Sequence, residues 1–302
     1  MVPKEERKVE EKGGGVAAFF DLDGTLMPLP SMEKRFFSML RCRRIIGIRN
    51  YFLWLAGAMR LVPRGIRQIM HANKMYLRGV PVHVEGGGTD LPVCLCVRDK
   101  AGKNAERRRG KKGERRRRAR MPVPLYPEAV ERVAWHAERG HLIVIVSGTL
   151  EMLAGRAARL LEAALLGYGL TSKIRLCATR LEEKKERWTG RIVGEAVFGE
   201  AKARAIGRIA AEADLDLQRC FAYGDSSSDH WMLEAVGKPA AVNPSNDLAR
   251  IARSKDWTVL LWTEEEDFTQ RTRRAERWEQ AGERLAAEHG KSGYGNEQLQ
   301  EK

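Results

Sequence analysis

Near its start the chain reads Val16-Ala17-Ala18-Phe19-Phe20-Asp21-Leu22-Asp23-Gly24-Thr25, an apolar run that stops at two aspartates separated by a single leucine. An uninterrupted apolar run of this kind is typical of a parallel strand that is buried on both faces. In open α/β sheets the ligand site lies beyond the carboxyl ends of the strands. The stretch therefore predicts a central strand over residues 16–20 that carries Asp21 and Asp23 at its functional end.

Two later apolar runs end in polar side chains in the same way. Residues 142–146 precede Ser147, and residues 220–223 precede Gly224 and Asp225. Helical patterns separate these runs, and the alternation predicts an α/β fold, a Rossmann-like doubly wound parallel sheet. A single polar residue after a strand is more often an ordinary loop cap. Several of them at one edge of the sheet indicate a shared site.

The segment after the first strand has a helical pattern. From residue 31 to about residue 80, large apolar residues recur at spacings of three and four, which predicts two to four helices. We interpret this segment as a small helical cap domain inserted after the first strand. Further along, residues 174–178 and 191–193 suggest two short strands, the second of them across a turn at Thr189-Gly190.

The predicted organisation has five parts, which differ in composition and in hydrophobic pattern. They are a disordered N-terminal tail over residues 1–15, a core over 16–30 and 121–263, a helical cap over 31–82, a basic low-complexity insert over 83–120, and a charged C-terminal helix or tail over 264–302.

The net charge of +14 is concentrated in the insert. The segment from Arg98 to Arg120 contains thirteen Lys/Arg and three Asp/Glu, a net of +10, which leaves +4 for the other residues. We therefore expect the high pI to describe this segment and not a basic fold. Its few apolar residues predict disorder, and we expect the catalytic site to assemble without it. Two alternatives remain: the segment contacts a nucleic acid, another polyanion or an anionic membrane, or it reflects a reading-frame error in the gene.

Cysteine usage and the apolar runs argue for a reducing, cytoplasmic location. The five cysteines are odd in number and scattered, and no second Cys/His pair lies near Cys94 and Cys96 at zinc-site spacing. Residues 1–15 have no apolar core of the signal-peptide type. The longest apolar stretch, residues 50–59, is shorter than the roughly 18 residues of a spanning helix. Together with the neighbouring arginines, this stretch could instead form a helix that lies on a surface of anionic lipid. Burial of Trp54 in the cap would argue against such a helix.

Four motifs together resemble those of the haloacid dehalogenase-like (HAD) phosphatases. Residues 21–25 resemble the first motif, Ser147 the second, Lys202 the third, and Gly224-Asp225 with Asp229 the fourth. The resemblance covers residues 16–262 apart from the basic segment. The position of the predicted cap is similar to that of subfamily IB, the phosphoserine-phosphatase-like branch. The resemblance implies a Mg²⁺-dependent phosphomonoester hydrolase that acts on a small phosphorylated metabolite.

The same resemblance assigns the catalytic roles. Asp21 would attack phosphorus and form an aspartyl-phosphate, and a carboxylate suits this role because it is already ionised at neutral pH. Asp23 would protonate the leaving alkoxide and then activate the water that hydrolyses the intermediate. Two positions along an extended segment place both side chains on the same side.

The binding roles also follow from the resemblance. Mg²⁺ would be held by hard oxygen ligands, which are the carboxylates of Asp21 and Asp225 and the main-chain carbonyl of Asp23. The substrate phosphate would be bound by Ser147, the Gly148 amide and Lys202, the last of which stabilises charge in the transition state. Asp229 would hold either a metal-bound water or Lys202 in place, and it could also cap the helix that follows it.

The sequence departs from the phosphoserine-specific members at two places. Those members carry an acidic residue for the substrate amine just after the first motif, whereas this chain has no carboxylate over residues 27–31 and Glu33 is its first. This departure argues against phosphoserine itself as the substrate. Ser228 replaces an asparagine of those members. The substrate therefore stays open, and so does the choice between a phosphatase and a phosphotransferase. The alternatives from other classes are a phosphatase of lysophospholipid-type phosphates at a membrane surface and a polyanion- or nucleic-acid-binding protein. No obligate protein partner is evident.

Overall fold

The computed structural model describes residues 14–65, 69, 71–82 and 125–263. Six of its strands form one parallel sheet, and an antiparallel hairpin lies beside it. In spatial order the sheet consists of Arg175–Thr179 (β3), Leu142–Leu150 (β2), Ala17–Phe20 (β1), Phe221–Gly224 (β6), Lys238–Val242 (β7) and Thr258–Leu260 (β8), and the hairpin of Leu181–Lys184 (β4) and Arg187–Ile192 (β5). The predicted doubly wound α/β sheet is confirmed.

Strand β1 lies inside the sheet and is buried on both faces. Its four residues have no exposed surface, and successive side chains enter two different apolar clusters, Phe20 on one face and Phe19 on the other. The helices that cover the two faces are Pro127–Glu138 (α3), Glu151–Gly167 (α4), Glu200–Glu212 (α5), His230–Glu234 (α6) and Asn246–Ser254 (α7). Full burial of one such side chain contributes about 1.5–3 kcal/mol, so the apolar run fixes this strand at the centre.

A helical cap follows β1, as predicted. It contains the α-helices Met32–Cys42 (α1) and Ile48–Leu61 (α2) and two 3₁₀-helices, Val62–Arg64 and Met75–Leu77. Ser31 begins α1 because its Oγ accepts a hydrogen bond from the Lys34 amide. The Gly79 amide donates to the Trp188 carbonyl at 2.8 Å, and a β-bridge joins Pro81 to Arg187. The cap is thus tied to the β4–β5 hairpin.

Other predicted segments lie outside the described residues. They are most of the tail over residues 1–15, the whole of the basic insert over 83–120, and the whole of the charged C-terminal segment over 264–302. Among the helices that the structure describes, none is long and apolar enough to cross a membrane.

The predicted turn at Thr189-Gly190 is wrong. The hairpin turns instead at Lys185 and Glu186, which both have positive φ angles, of 52° and 56°, as two-residue hairpin loops require. Gly190 lies within β5 at φ 81°, where a Cβ would come within 3.0 Å of the Met75 Cα. This glycine is therefore needed for close approach of the cap backbone and not for the turn.

A buried histidine packs behind β6. His136 is fully buried, its Nε2 lies 2.9 Å from the Tyr223 hydroxyl, and its Nδ1 lies 2.8 Å from Nδ1 of His141. Burial, together with His141 and the neighbouring arginines, lowers the pKa of His136 to about 3. The neutral imidazole is therefore the form that the fold stabilises.

The unfolding free energy should consequently depend on pH through His136. The unfolded chain takes up a proton at this residue near pH 6.5, and the folded protein does so only near pH 3. The His136 contribution is complete above pH 6.5 and is lost as the pH falls, by about 2 kcal/mol between pH 6.5 and 5. Urea unfolding at pH 7.5 and 5.5, compared between the parent and His136→Gln, measures it.

The comparison between the two proteins isolates His136, because they share all the other titrating groups. Among these, buried carboxylates with raised pKa values change the stability in the opposite direction on acidification. The parent should lose more stability than His136→Gln on acidification. Equal losses in the two proteins would contradict the assignment.

Candidate active site

All seven predicted site residues line one pocket at the carboxyl edge of the sheet. The pocket has a volume of about 630 Å³, and its floor is formed by Asp21, Asp23, Ser147, Gly148, Lys202, Asp225 and Asp229. The cap contributes its other wall. Residues far apart in the chain meet there because β1, β2 and β6 are neighbours and run in the same direction.

Local backbone geometry places each strand-end residue. The Asp21 amide donates to the Tyr223 carbonyl at 2.9 Å, which extends the β1–β6 pairing by one residue. Gly24 turns the chain at φ 94°, and its amide donates to the Met27 carbonyl at 2.7 Å. Ser147 does not end its strand as predicted, because β2 continues to Leu150 with a register shift after Ser147.

Lys202 is buried between two carboxylates. Its Nζ lies 2.5 Å from Oδ1 of Asp21 and 2.6 Å from Oδ1 of Asp229, and the side chain is almost fully buried. Burial alone would lower the pKa of Lys202, but the charges of Asp21 and Asp229 more than offset burial and raise it. The lysine therefore stays charged and links the end of β1 to the start of α6.

Asp229 positions the lysine and the loop before it. Its Oδ2 accepts hydrogen bonds from the Ser226 amide at 3.0 Å and the Ser226 hydroxyl at 2.7 Å. Burial disfavours its charge, but Lys202 and Ser226 more than offset this and lower the pKa of Asp229. Asp229 stands at the N-cap position of α6, yet its side chain does not cap that helix. Of the roles expected for it, the geometry favours holding Lys202.

Asp23 is held on both of its oxygens. Its Oδ1 accepts a hydrogen bond from the Met32 amide at 2.7 Å, and its Oδ2 accepts one from the Thr149 hydroxyl. Burial raises the pKa of Asp23, although both hydrogen bonds oppose the shift. A carboxyl with a raised pKa and a fixed orientation is suited to donating a proton.

The carboxylates of Asp21, Asp225 and Asp229 form a possible cation site. One ligand oxygen from each lies within 4.8 Å of the others. Burial, followed by the charges of Asp21 and Asp229, raises the pKa of Asp225 to about 9. Burial and the charge of Asp229 raise the pKa of Asp21 to about 7, although Lys202 opposes the shift. The single positive charge of Lys202 does not balance the carboxylates of Asp21, Asp225 and Asp229. Donors that are all oxygen atoms suit Mg²⁺. The residues present therefore fit a divalent cation.

Comparison with known proteins places the chain in a family. The family model described as haloacid dehalogenase-like hydrolase matches residues 95–234. A putative hydrolase from Mycobacterium leprae (strain TN) is 35% identical over 254 residues, which cover 80% of this chain and 71% of that protein. The chain is a haloacid dehalogenase-like hydrolase. The predicted family and the expectation of an enzyme are confirmed.

Other similarities are more partial. A probable phosphatase from Mycobacterium tuberculosis (strain ATCC 25618 / H37Rv) is 34% identical to this hydrolase over 139 residues, which cover 46% of this chain and 45% of that protein. The chain therefore matches less than half the length of that relative. A crystal structure of a protein with unknown function from Bordetella pertussis Tohama I aligns with a TM-score of 0.55 and 26% identity, over 82% of this chain and 98% of that one.

The cap side of the pocket contains a cluster that sequence reasoning missed. Glu33, the first carboxylate after the first motif, lines the pocket. Buried Lys74 contacts both of its oxygens at 2.6 Å, and the Tyr76 hydroxyl donates to Oε1 at 2.5 Å. The ion pair neutralises Glu33, so this hydrolase presents no unpaired cap carboxylate among the residues described as lining the pocket.

A stacked pair joins the cap to the core at the same pocket. The imidazole of His71 lies 3.8 Å from the Phe198 ring, centroid to centroid, at an interplanar angle of 11°. Burial, with the charge of Lys74, lowers the pKa of His71 to about 4. The neutral ring therefore contributes an apolar surface. Neither His71 nor Thr149 was predicted, although Thr149 directly follows Ser147-Gly148 and could have been found.

Gly24→Ala should disrupt the candidate cation site. A Cβ at this position would overlap the Asp225 carboxylate, and the positive φ of 94° is unfavourable for alanine. We expect turnover to fall about 100-fold or more, because displacement of a ligand by 1 Å has this order of effect, together with a stability loss of about 1–2 kcal/mol. Steady-state kinetics and urea unfolding measure both.

Gly167→Ala is the matched control, since a Cβ at Gly167 meets no atom within 4 Å. It should leave turnover unchanged. Full activity of Gly24→Ala would show that turnover does not depend on the position of the Asp225 carboxylate.

Proposed function

We propose that this hydrolase cleaves small phosphate monoesters through a phosphorylated Asp21, with Mg²⁺ as cofactor. One observation carries the proposal. Buried Lys202 bridges Asp21 and Asp229 beside Asp225, in a pocket that also contains Ser147 and Gly148. The name of the Mycobacterium tuberculosis relative, a probable phosphatase, supports the same activity.

In the first step an oxygen of Asp21 attacks the substrate phosphorus. Lys202 contacts Oδ1, which leaves Oδ2 to form the new bond to phosphorus. The bond from phosphorus to the alcohol oxygen breaks at the same time, and Asp23 gives its proton to that oxygen. The raised pKa of Asp23 keeps a proton available for this step.

In the second step Asp23, now ionised, takes a proton from water. The resulting hydroxide displaces Asp21 from phosphorus, which releases inorganic phosphate and restores both carboxyls. Ser147, the Gly148 amide and Lys202 hold the phosphate oxygens throughout both steps. Asp21, Asp225 and the Asp23 carbonyl would hold a divalent cation, which would supply positive charge against the phosphate. Asp229 keeps Lys202 in place.

The pocket favours a substrate whose alcohol part has apolar surface. Phe37 and Trp54 from the cap and Phe198 from the core line the same pocket as the carboxylates. Glu33 also lines the pocket but is paired with Lys74, so it offers little attraction to a substrate amine. We therefore place neutral or partly apolar phosphate esters ahead of phosphoserine.

The test is a screen of the purified chain against phosphate esters of amino acids, sugars, nucleosides and lysophospholipids, with p-nitrophenyl phosphate as a generic ester. Phosphate release should require Mg²⁺ and stop on chelation. Adding methanol as an alternative acceptor separates hydrolysis from phosphotransfer, because a phosphotransferase would form methyl phosphate. No phosphate release from any ester in the presence of Mg²⁺ would contradict the proposal.

A further inference from the structure

Helix α2 exposes its most apolar face. Four large apolar side chains recur at spacings of three and four along the helix, and all of them are more than half exposed: Ile48 77%, Phe52 66%, Leu55 51% and Met59 62%. At 3.6 residues per turn these positions form one narrow stripe. Ala58 is the one buried residue of the helix. An apolar stripe normally faces the protein core, and here it faces away from it.

Polar contacts on the inner face hold the helix in this orientation. The Asn50 side chain donates to the Tyr76 carbonyl at 2.9 Å and to the Arg78 carbonyl at 3.1 Å. The Asn73 side chain donates to the Trp54 carbonyl at 2.8 Å. Rotating the stripe inward would break these bonds, so its exposure is built into the cap.

Trp54 lies on the inner side of the same helix. It is half-buried and lines the pocket, so it does not belong to the exposed stripe. The sequence expectation that burial of Trp54 would argue against a lipid-facing helix was therefore too simple. One face of α2 thus contributes to the pocket, and a second, apolar face points away from the protein.

The segment that contains the stripe is strongly basic. Arg49 and Arg60 lie exposed on α2 itself, and residues 34–80 contain eleven Lys/Arg and no Asp/Glu, although one of the eleven, Lys74, is buried against Glu33. The expectation that the basic charge belongs to residues 98–120 alone is thus incomplete, because residues 34–80 of the cap segment carry a net +11 as well. An apolar stripe flanked by Arg49 and Arg60, on a helix that contains no Asp/Glu, is complementary to a surface that is apolar inside and anionic outside.

We propose that the outer face of α2 docks this enzyme onto membranes that contain anionic phospholipids. The side chains of Ile48, Phe52, Leu55 and Met59 enter the boundary between headgroups and acyl chains, and Arg49 and Arg60 contact lipid phosphates. The docking does not depend on catalysis, so Asp21→Asn should bind vesicles as the parent does. A second copy of the chain would need to match the same positive charge, which disfavours self-association through this face.

The experiment is co-sedimentation of the full chain with vesicles of phosphatidylcholine, either pure or with about one third phosphatidylserine, at about 0.1 M salt. The test variant is Phe52→Ser with Leu55→Ser, which removes apolar surface and no charge. The matched control is Leu166→Ser with Leu261→Ser, whose parent side chains are 63% and 77% exposed elsewhere on the core. A third variant, Arg49→Gln with Arg60→Gln, tests the electrostatic part.

The parent should bind the phosphatidylserine vesicles at least tenfold more tightly than the neutral ones. The α2 serine variant should lose about tenfold of that binding and keep its turnover of a small soluble ester. The control should change by less than twofold, and the arginine variant should lose most of the preference for anionic lipid. All variants retain residues 98–120, so binding through that segment appears as the binding that remains in the serine variant.

Two results would overturn the proposal. One is vesicle binding that the α2 serine variant leaves unchanged, which would assign it to residues outside this face. The other is a dimer in light scattering that the serine variant dissociates, without preferential binding of the parent to anionic vesicles, which would assign the stripe to a second copy.

Discussion

Asp21→Asn is expected to abolish turnover while leaving the protein at least as stable as the parent. The amide cannot attack phosphorus as a carboxylate does, and loss of a covalent nucleophile costs on the order of 10⁴-fold or more in kcat. Measurement of p-nitrophenyl phosphate turnover with Mg²⁺, together with thermal unfolding, checks both halves of this expectation.

The expected stability follows from the charge of the site. Asp21 is buried, and burial together with the charge of Asp229 raises the pKa of Asp21 to about 7, although Lys202 opposes the shift. The asparagine removes one buried like charge, and Lys202 keeps its contact with Asp229 at 2.6 Å. A loss of activity caused by unfolding would instead lower the melting temperature.

Asp247→Asn is the matched control, because Asp247 is an exposed aspartate on α7 that pairs with Arg250. It should change neither turnover nor stability appreciably. Undiminished turnover in Asp21→Asn would show that Asp21 is not the nucleophile.

Asp225→Ala is expected to remove Mg²⁺ dependence and activity together while the protein stays folded. The Asp225 carboxylate lies in a group of like charges, and its pKa is raised to about 9 by burial and by Asp21 and Asp229. Its charge is therefore unfavourable in the metal-free protein, and a divalent cation would stabilise it. Loss of this ligand should lower kcat by on the order of 10³-fold.

Thermal unfolding gives a readout that is independent of turnover. A cation that binds the folded protein raises its melting temperature as its concentration increases. The parent should show this rise with added Mg²⁺, and Asp225→Ala should not. Asp247→Ala is the control. Mg²⁺-stimulated turnover that persists in Asp225→Ala would assign the cation to other residues.

The strand-end part of the site could be predicted because parallel strands impose it. Apolar runs ending at Asp21, Ser147 and Asp225 are local signals, and the sheet brings their ends together whatever lies between them. The roles that the resemblance implies for these residues remain proposals, and the geometry supports them. The antiparallel hairpin was harder to predict from the sequence, because its turn uses Lys185 and Glu186 in place of the glycine or asparagine that marks most such turns.

The cap side of the pocket could not be predicted for a different reason. Glu33 and Lys74 are far apart in the chain, and their ion pair depends on how α1 packs against the segment after α2. No local pattern encodes such a contact. The exposed stripe of α2 was visible as an apolar run, but a run alone does not show which face of a helix is buried.

The most direct test of the proposed chemistry is to trap the phosphorylated enzyme. The protein would be mixed with p-nitrophenyl phosphate and Mg²⁺, quenched in acid within milliseconds, and analysed by peptide mass spectrometry. We predict a single phosphoryl group on Asp21, removed by hydroxylamine as expected for an acyl phosphate and absent from Asp21→Asn. Active turnover with the phosphoryl group on another residue, or with none on Asp21 at any time point, would contradict it.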